Sequence, residues 1–184
     1  MVQLGDITDI KVGFPGQPEK EGQLLFFQVR QFNEDGQLFN VGIDAIMLDD
    51  KTRPHILKEG DVLFVGKGNR LFAWCYQTTD TPAIASSSFF VLRPRTTSID
   101  SGYLAAILNA PQTKAVFQQI GGGTNIFSIR KSELGALQIP LPPLDQQKKI
   151  AAIAQLHQKE IELAKSLITK KQELYTSIIS KLIN

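Results

Sequence analysis

The chain has 184 residues, of which 42% are apolar, 21% charged and 8% aromatic. These values are ordinary for a globular protein and exclude a collagen-like, a disulfide-scaffold or a wholly disordered chain. The 20 basic and 18 acidic side chains leave a net charge of +2, so the chain is not uniformly basic. The single cysteine, Cys75, cannot form an internal disulfide, which favours a reducing, cytoplasmic location. The sequence predicts neither an export signal nor a membrane span, which needs ~18 consecutive apolar residues.

Residues 1–143 predict a strand-rich domain, because short apolar runs alternate with turn residues. The predicted strands are 24–30, 61–65, 71–76, 88–92 and 136–139, and a turn is predicted at 66–69. Helical spacing of apolar residues predicts helices at 101–108, 112–120 and 131–134.

The composition changes after residues 140–144, which read Pro-Leu-Pro-Pro-Leu and predict a stiff, extended connector. From Asp145 to Asn184 there is neither glycine nor proline. This segment predicts one long helix with Asp145 as its N-cap, roughly 58 Å long at 1.5 Å per residue. The predicted fold class is therefore α+β, with a strand-rich domain at 1–143 followed by a long coiled-coil-type helix at 144–184.

The predicted helix carries an apolar stripe at heptad spacing, which Glu160, Lys171 and Lys181 interrupt. Two interpretations remain open: the helix packs on its own domain, or it pairs with another helix. For the second, the predicted interface consists of Ile153, Ile161, Leu167, Ile168, Leu174, Tyr175 and Ile178.

The motifs of common enzymes and metal sites are missing from the sequence. Gly66-Lys67-Gly68 lacks the Ser or Thr that follows the lysine of a phosphate-binding P-loop. The two histidines, His55 and His157, form no ligand cluster with Cys75. We therefore predict no catalytic residue, no metal and no cofactor.

Basic and amide side chains gather in several turns that are candidates for contact with DNA. The loop at residues 66–70 leads, because Lys, Arg and Asn pair with purine edges and glycine permits close approach. For each candidate the alternative is an ordinary solvated turn. The predicted DNA-binding residues are Lys67, Asn69, Arg70, Arg30, Gln31, Thr124, Asn125 and Arg130, and Arg93 and Arg95 form a further basic pair.

The order of these segments resembles the specificity subunit of type I restriction–modification systems. The resemblance covers the whole chain. It is carried by the stretches 4–7, 57–64, 67–70, 85–94, 103–104 and 123–126, and by Ile-Pro-Leu-Pro-Pro-Leu at 139–144 with Gln147 and Ile150. The proline-rich connector that enters a long helix is its most specific element.

The resemblance implies that residues 1–143 are a target recognition domain and that residues 144–184 are a spacer helix. The expected partners are double-stranded DNA, methyltransferase (modification) subunits and, through the complex, the restriction motor subunit. Catalysis is expected in those separate subunits. Family members commonly carry two recognition domains and two long helices, whereas this chain has one of each. A natural half-subunit and a fragment both remain open.

A half-subunit that reads a split site predicts a homodimer through the long helix. The rival hypothesis is an assembly scaffold that does not read DNA.

Overall fold

The computed structural model describes residues 1–38, 42–120 and 127–183. Its strands are β1 (Val2–Gln3), β2 (Thr8–Val12), β3 (Leu24–Phe27), β4 (Asp44–Ile46), β5 (Val62–Val65), β6 (Lys67–Gly68), β7 (Ala73–Cys75), β8 (Ala83–Ala85), β9 (Phe89–Pro94), β10 (Phe127–Ser128) and β11 (Gln138–Ile139). Its helices are α1 (Leu4–Ile7), α2 (Ser101–Asn109), α3 (Pro111–Ile120), α4 (Lys131–Gly135) and α5 (Leu144–Ile183), with 3-10 turns at Val29–Gln31 and Arg53–His55. The predicted α+β class with a long terminal helix is confirmed.

Two sheets form the centre of the domain. The larger is antiparallel in the order β2-β9-β5-β7, and the smaller has the order β4-β3-β8 with β3 and β8 parallel. Two short antiparallel ribbons, β1–β11 and β6–β10, and three isolated bridges add to these sheets.

Strand β5 shows why the chain folds into layers. Val62 and Phe64 point into a core shared with helices α2 and α3, whereas Leu63 and Val65 point into an aromatic core between the two sheets. All four side chains are buried. A strand covered on both faces reads as an unbroken apolar run, which explains the sequence at 62–65.

The structure corrects several predicted boundaries. The strand predicted at 24–30 stops at Phe27, because a 3-10 turn follows. The turn predicted at 66–69 contains β6. Asp145 is not the N-cap: α5 begins at Leu144, and the amides of Gln146 and Gln147 donate to the Pro143 carbonyl. Asp145 lies in the first turn, where its charge still suits the helix dipole.

A buried glutamine anchors the start of α5 to the domain. Gln147 is fully buried, and its side-chain oxygen accepts the amide of Asp100 at 2.9 Å. Its side-chain nitrogen donates to the carbonyls of Ser98 and Pro142, each at 2.8 Å. One side chain therefore joins three segments: the loop before α2, the proline connector and α5.

Replacing Gln147 with alanine is expected to lower the free energy of unfolding by about 2–3 kcal/mol, because an amide and two carbonyls lose their buried partner. Urea unfolding followed by the fluorescence of Trp74, the single tryptophan, measures this. Gln146 is exposed, so Gln146→Ala is the matched control. It should change the free energy of unfolding by less than about 0.5 kcal/mol. Equal stabilities of the two variants would show that the anchor contributes nothing.

Candidate nucleic-acid interface

The ribbon of β6 and β10 joins two basic segments that are distant in sequence. Lys67 lies directly opposite Ser128 in this antiparallel pair, and Gly68 lies opposite Phe127. At the base of the ribbon the amide of Ile129 donates to the carbonyl of Gly66 at 2.9 Å. This pairing places the loop at residues 66–70 beside the segment that leads to Arg130.

Arg70 connects the same loop to a third basic segment. Its guanidinium donates to the carbonyl of Val29 at 2.6 Å and to that of Phe32 at 2.5 Å. Those carbonyls flank Arg30 and Gln31, so the candidates at 30–31, 66–70 and 130 lie at one end of the domain. Because both terminal nitrogens of Arg70 bind the backbone, its first role in this structure is to hold the loop; the DNA contact of Arg70 stays a prediction.

The carboxylate of Asp44 organises the candidates at 30–31. One of its oxygens accepts hydrogen bonds from Arg30 at 2.6 Å and from the side-chain amides of Gln28 and Gln31 at 2.9 Å each. Gln31 is only 6% exposed, and its side-chain oxygen accepts the amide of Gln28. Gln31 therefore shapes this turn from the inside, whereas Arg30 reaches the surface.

Three of the predicted residues, Lys67, Asn69 and Arg130, have exposed side chains at this end of the domain. Thr124 and Asn125 lie outside the described residues. Sequence reasoning missed Ser128, which is exposed and directly opposite Lys67. No local signal marks Ser128, because its position depends on pairing with a strand some 60 residues earlier.

The basic pair around Pro94 lies at the opposite end of the domain, where β9 finishes. Arg93 forms a two-point ion pair with Asp61, through Nε at 2.7 Å and Nη2 at 2.6 Å. This hydrogen-bonded pairing raises the pKa of Arg93 above its ordinary value. Arg95 lies 3.7 Å from Asp9 and is half exposed. These two arginines are therefore separate from the cluster around Lys67.

The described residues hold no cluster of metal-ligating side chains, and their single cysteine is not activated. Nowhere in 1–38, 42–120 and 127–183 do three His, Cys, Asp or Glu side chains converge as metal ligands would. Burial, with smaller effects of nearby carboxylates, raises the pKa of the Cys75 thiol to about 11, so Cys75 stays protonated at neutral pH. No described helix has the length and apolar character that crossing a bilayer requires.

The long helix presents two different faces. Along its first half, Ala151, Ala154, Gln158 and Ile161 are half-buried at intervals of three and four residues, and Ala151 packs on the core that contains α2. Lys165 continues this row and forms an ion pair with Asp35. Ile161 therefore lies on the face toward the domain.

The other predicted interface residues are exposed, by 47% for Ile178 and up to 67% for Ile153 and Tyr175. Leu156 and Leu163, each 63% exposed, lie along the same outer stripe, and the heptad analysis missed both. Hereafter the outer stripe means Ile153, Leu156, Leu163, Leu167, Leu174 and Ile178.

Comparison with known proteins gives a consistent result. The family model described as the type I restriction modification DNA specificity domain matches residues 2–173. A 67-residue stretch is 39% identical to a protein described as the MjaX type I restriction enzyme specificity subunit of Methanocaldococcus jannaschii, covering 36% of this chain and 16% of that one.

Two solved structures share the fold. The HsdS subunit from Thermoanaerobacter tengcongensis matches with a TM-score of 0.60 and 23% identity, over 88% of this chain and 37% of that one. The type I restriction–modification S subunit from M. genitalium matches with a TM-score of 0.59 and 19% identity, over 94% and 42%. This chain thus spans about two-fifths of either structure. Since the family model covers nearly all of it, the chain belongs to the family of type I restriction–modification DNA specificity domains.

Proposed function

We propose that this chain is a non-catalytic, sequence-specific DNA-recognition module of a type I restriction–modification complex. Residues 1–143 form the target recognition domain, which reads one half of a split site in double-stranded DNA. Residues 144–184 form the helix that sets the spacing and assembles with methyltransferase subunits, and the restriction motor subunit joins through the complex. The module acts in the cytoplasm, where its DNA and its partners are found.

The observation that carries this proposal is the gathering of basic segments at one end of the domain. Three segments far apart in sequence meet there through the β6–β10 ribbon and the Arg70 hydrogen bonds. A local basic patch on an otherwise balanced protein is the electrostatic footprint of a DNA-binding domain. The 13 basic and 14 acidic residues before Asp145 make a general attraction to phosphate insufficient, so the patch has to supply it.

The helix supports the second half of the proposal. A split site requires two readers, and two copies related by a two-fold axis supply them. The outer stripe stays exposed on the helix face away from the domain, so it is free to meet a second helix. Such a homodimer would read an interrupted palindrome.

The exposed stripe also fits the rival function of an assembly scaffold that does not read DNA. The two functions differ in what happens to DNA, because a scaffold binds its partners equally well whatever the sequence of the duplex.

Selection from a library of randomised duplex DNA separates them. The purified full chain at low salt, where phosphate contacts are strongest, is expected to enrich one recurring sequence. In a dimer that sequence contains two equivalent half-sites at fixed spacing. Duplexes with one mismatched base pair in a half-site should bind at least about 5-fold more weakly, since one wrong base pair costs ~1–3 kcal/mol. No enrichment over competitor DNA would overturn DNA recognition and leave the scaffold function.

A further inference from the structure

We infer that the β6–β10 ribbon is the element that enters a groove of the DNA, and that Ser128 reads the DNA beside Lys67. This inference rests on the proposed function and specifies which part of the domain carries it.

The ribbon puts a cation and a hydroxyl on one face. Residues directly opposite each other in an antiparallel pair project their side chains to the same side, with Cβ atoms about 4.5–5.5 Å apart. Lys67 and Ser128 are such a pair, and both side chains are exposed. A lysine that binds a phosphate or a guanine edge thus has a hydrogen-bonding hydroxyl at a neighbouring position.

The ribbon also has the right dimensions. Two paired strands lie about 4.8 Å apart, and the major groove of B-DNA, about 12 Å wide, admits a two-stranded ribbon with its side chains. Arg130 and Lys131, both exposed, come two and three residues after β10, so an inserted ribbon would bring them near the flanking phosphates.

The base of the ribbon is held rigidly, which reduces the entropic cost of binding. The amide of Gly66 donates to Ser88 at 3.0 Å, its carbonyl accepts from Ile129, and a Cβ there would lie 2.3 Å from the ring of Phe90. Gly68 has a φ of +138°, which L side chains rarely adopt, and a Cβ built there would have no described atom within 4 Å. The first glycine therefore seats the ribbon on the core, and the second gives the exposed strand its course.

Two substitutions on the ribbon distinguish a base contact from a phosphate contact. Ser128→Asn is expected to change the preferred base at one position of the selected sequence, because an asparagine amide pairs with adenine where a hydroxyl accepts several bases. Lys67→Ala is expected to reduce affinity about evenly across sequences and to lower the salt slope, log K against log salt, by about 0.9 if it binds a phosphate.

Substitutions at the other end of the domain serve as matched controls. Lys58→Ala, at an exposed position just before β5, removes the same charge as Lys67→Ala. Thr97→Asn, at an exposed position beyond the far end of β9, provides the control for Ser128→Asn. Both controls should bind within twofold of the parent, with an unchanged selected sequence. If Ser128→Asn does not fold, Ser128→Ala replaces it, because this smaller change leaves the strand intact. Ser128→Ala should bind the selected DNA about fivefold more weakly than the parent.

The outcomes separate the inference from the function it rests on. If the parent selects a sequence while the Ser128 and Lys67 variants select the same one with equal affinity and salt slope, the ribbon does not read DNA and the proposed function stands. If the parent selects no sequence, DNA recognition and the inference fall together.

Discussion

Replacing Arg93 with alanine is expected to lower the free energy of unfolding by about 3 kcal/mol, near the lower end of the cost of breaking a buried ion pair. Asp61 is 1% exposed, and Arg93 satisfies both of its carboxylate oxygens. Without the guanidinium, the buried carboxylate keeps, among the described residues, the backbone amide of Lys58 at 2.8 Å as its one remaining hydrogen-bond donor. The cost stays near the lower limit because Arg93 is itself partly exposed, so water replaces some of its contacts.

Arg95 provides the control for this experiment. It lies two residues further along, forms its ion pair with Asp9 at 3.7 Å, and both side chains are about half exposed. Arg95→Ala should lower the free energy of unfolding by less than about 1 kcal/mol, because exposed ion pairs contribute little to stability. Urea unfolding followed by Trp74 fluorescence compares the two variants, because Trp74 packs against Phe27 and Phe32 in the core between the sheets. Equal losses would show that burial of the Asp61 pair has no energetic consequence.

Patterns that depend on local chemistry were predictable from the sequence. The long helix followed from 40 residues without glycine or proline, since no other regular structure suits that composition. The strand at 62–65 followed from an apolar run of strand length. The short strand β8 was missed, because Ala83-Ile84-Ala85 offers no alternation and only one branched apolar residue. Its strand conformation depends on pairing with β3.

The sequence offers candidate members of the site but does not reveal the role of each side chain. An arginine in a turn has the same local sequence whether it faces DNA or binds backbone carbonyls. Arg70 does the latter through partners about 40 residues away, and Gln31 turns inward to a carboxylate at position 44. Ser128 was invisible for the corresponding reason, since only its pairing with Lys67 brings it into the cluster.

The helix shows a similar limit. Heptad spacing identifies apolar rows but not what covers them, and a row packed on the chain's own domain has the same period as a row that binds a partner. Ile161 was assigned to the partner interface, whereas it is half-buried on the helix face from which Lys165 reaches Asp35 of the domain. The inner face therefore fits packing on the chain's own domain, and pairing of the outer face with another helix stays a proposal.

Aspartate at Leu167 or at Leu174 is expected to weaken the proposed homodimer at least 100-fold, because each places an unpaired charge in the middle of an apolar seam. Both leucines lie on the outer stripe, C-terminal to Lys165, which forms the ion pair with Asp35. Sedimentation velocity over a range of concentrations gives the dissociation constant. Gln172→Asp provides the control. Gln172 is exposed and lies seven residues after Lys165, so aspartate there adds the same charge outside the outer stripe.

Glu160 and Lys171, which interrupt the heptad rows of the helix, allow a sharper test of how the two helices pair. In an antiparallel pair whose axis passes between residues 165 and 166, Glu160 of one copy meets Lys171 of the other, and Leu163 meets Ile168. Glu160→Lys should then weaken the dimer by repulsion, and the double variant with Lys171→Glu should restore it. A double variant no stronger than the single one would exclude this register. A dimer that survives both aspartate substitutions must associate through another surface, and a parent chain that stays monomeric would leave the outer stripe to the methyltransferase subunits.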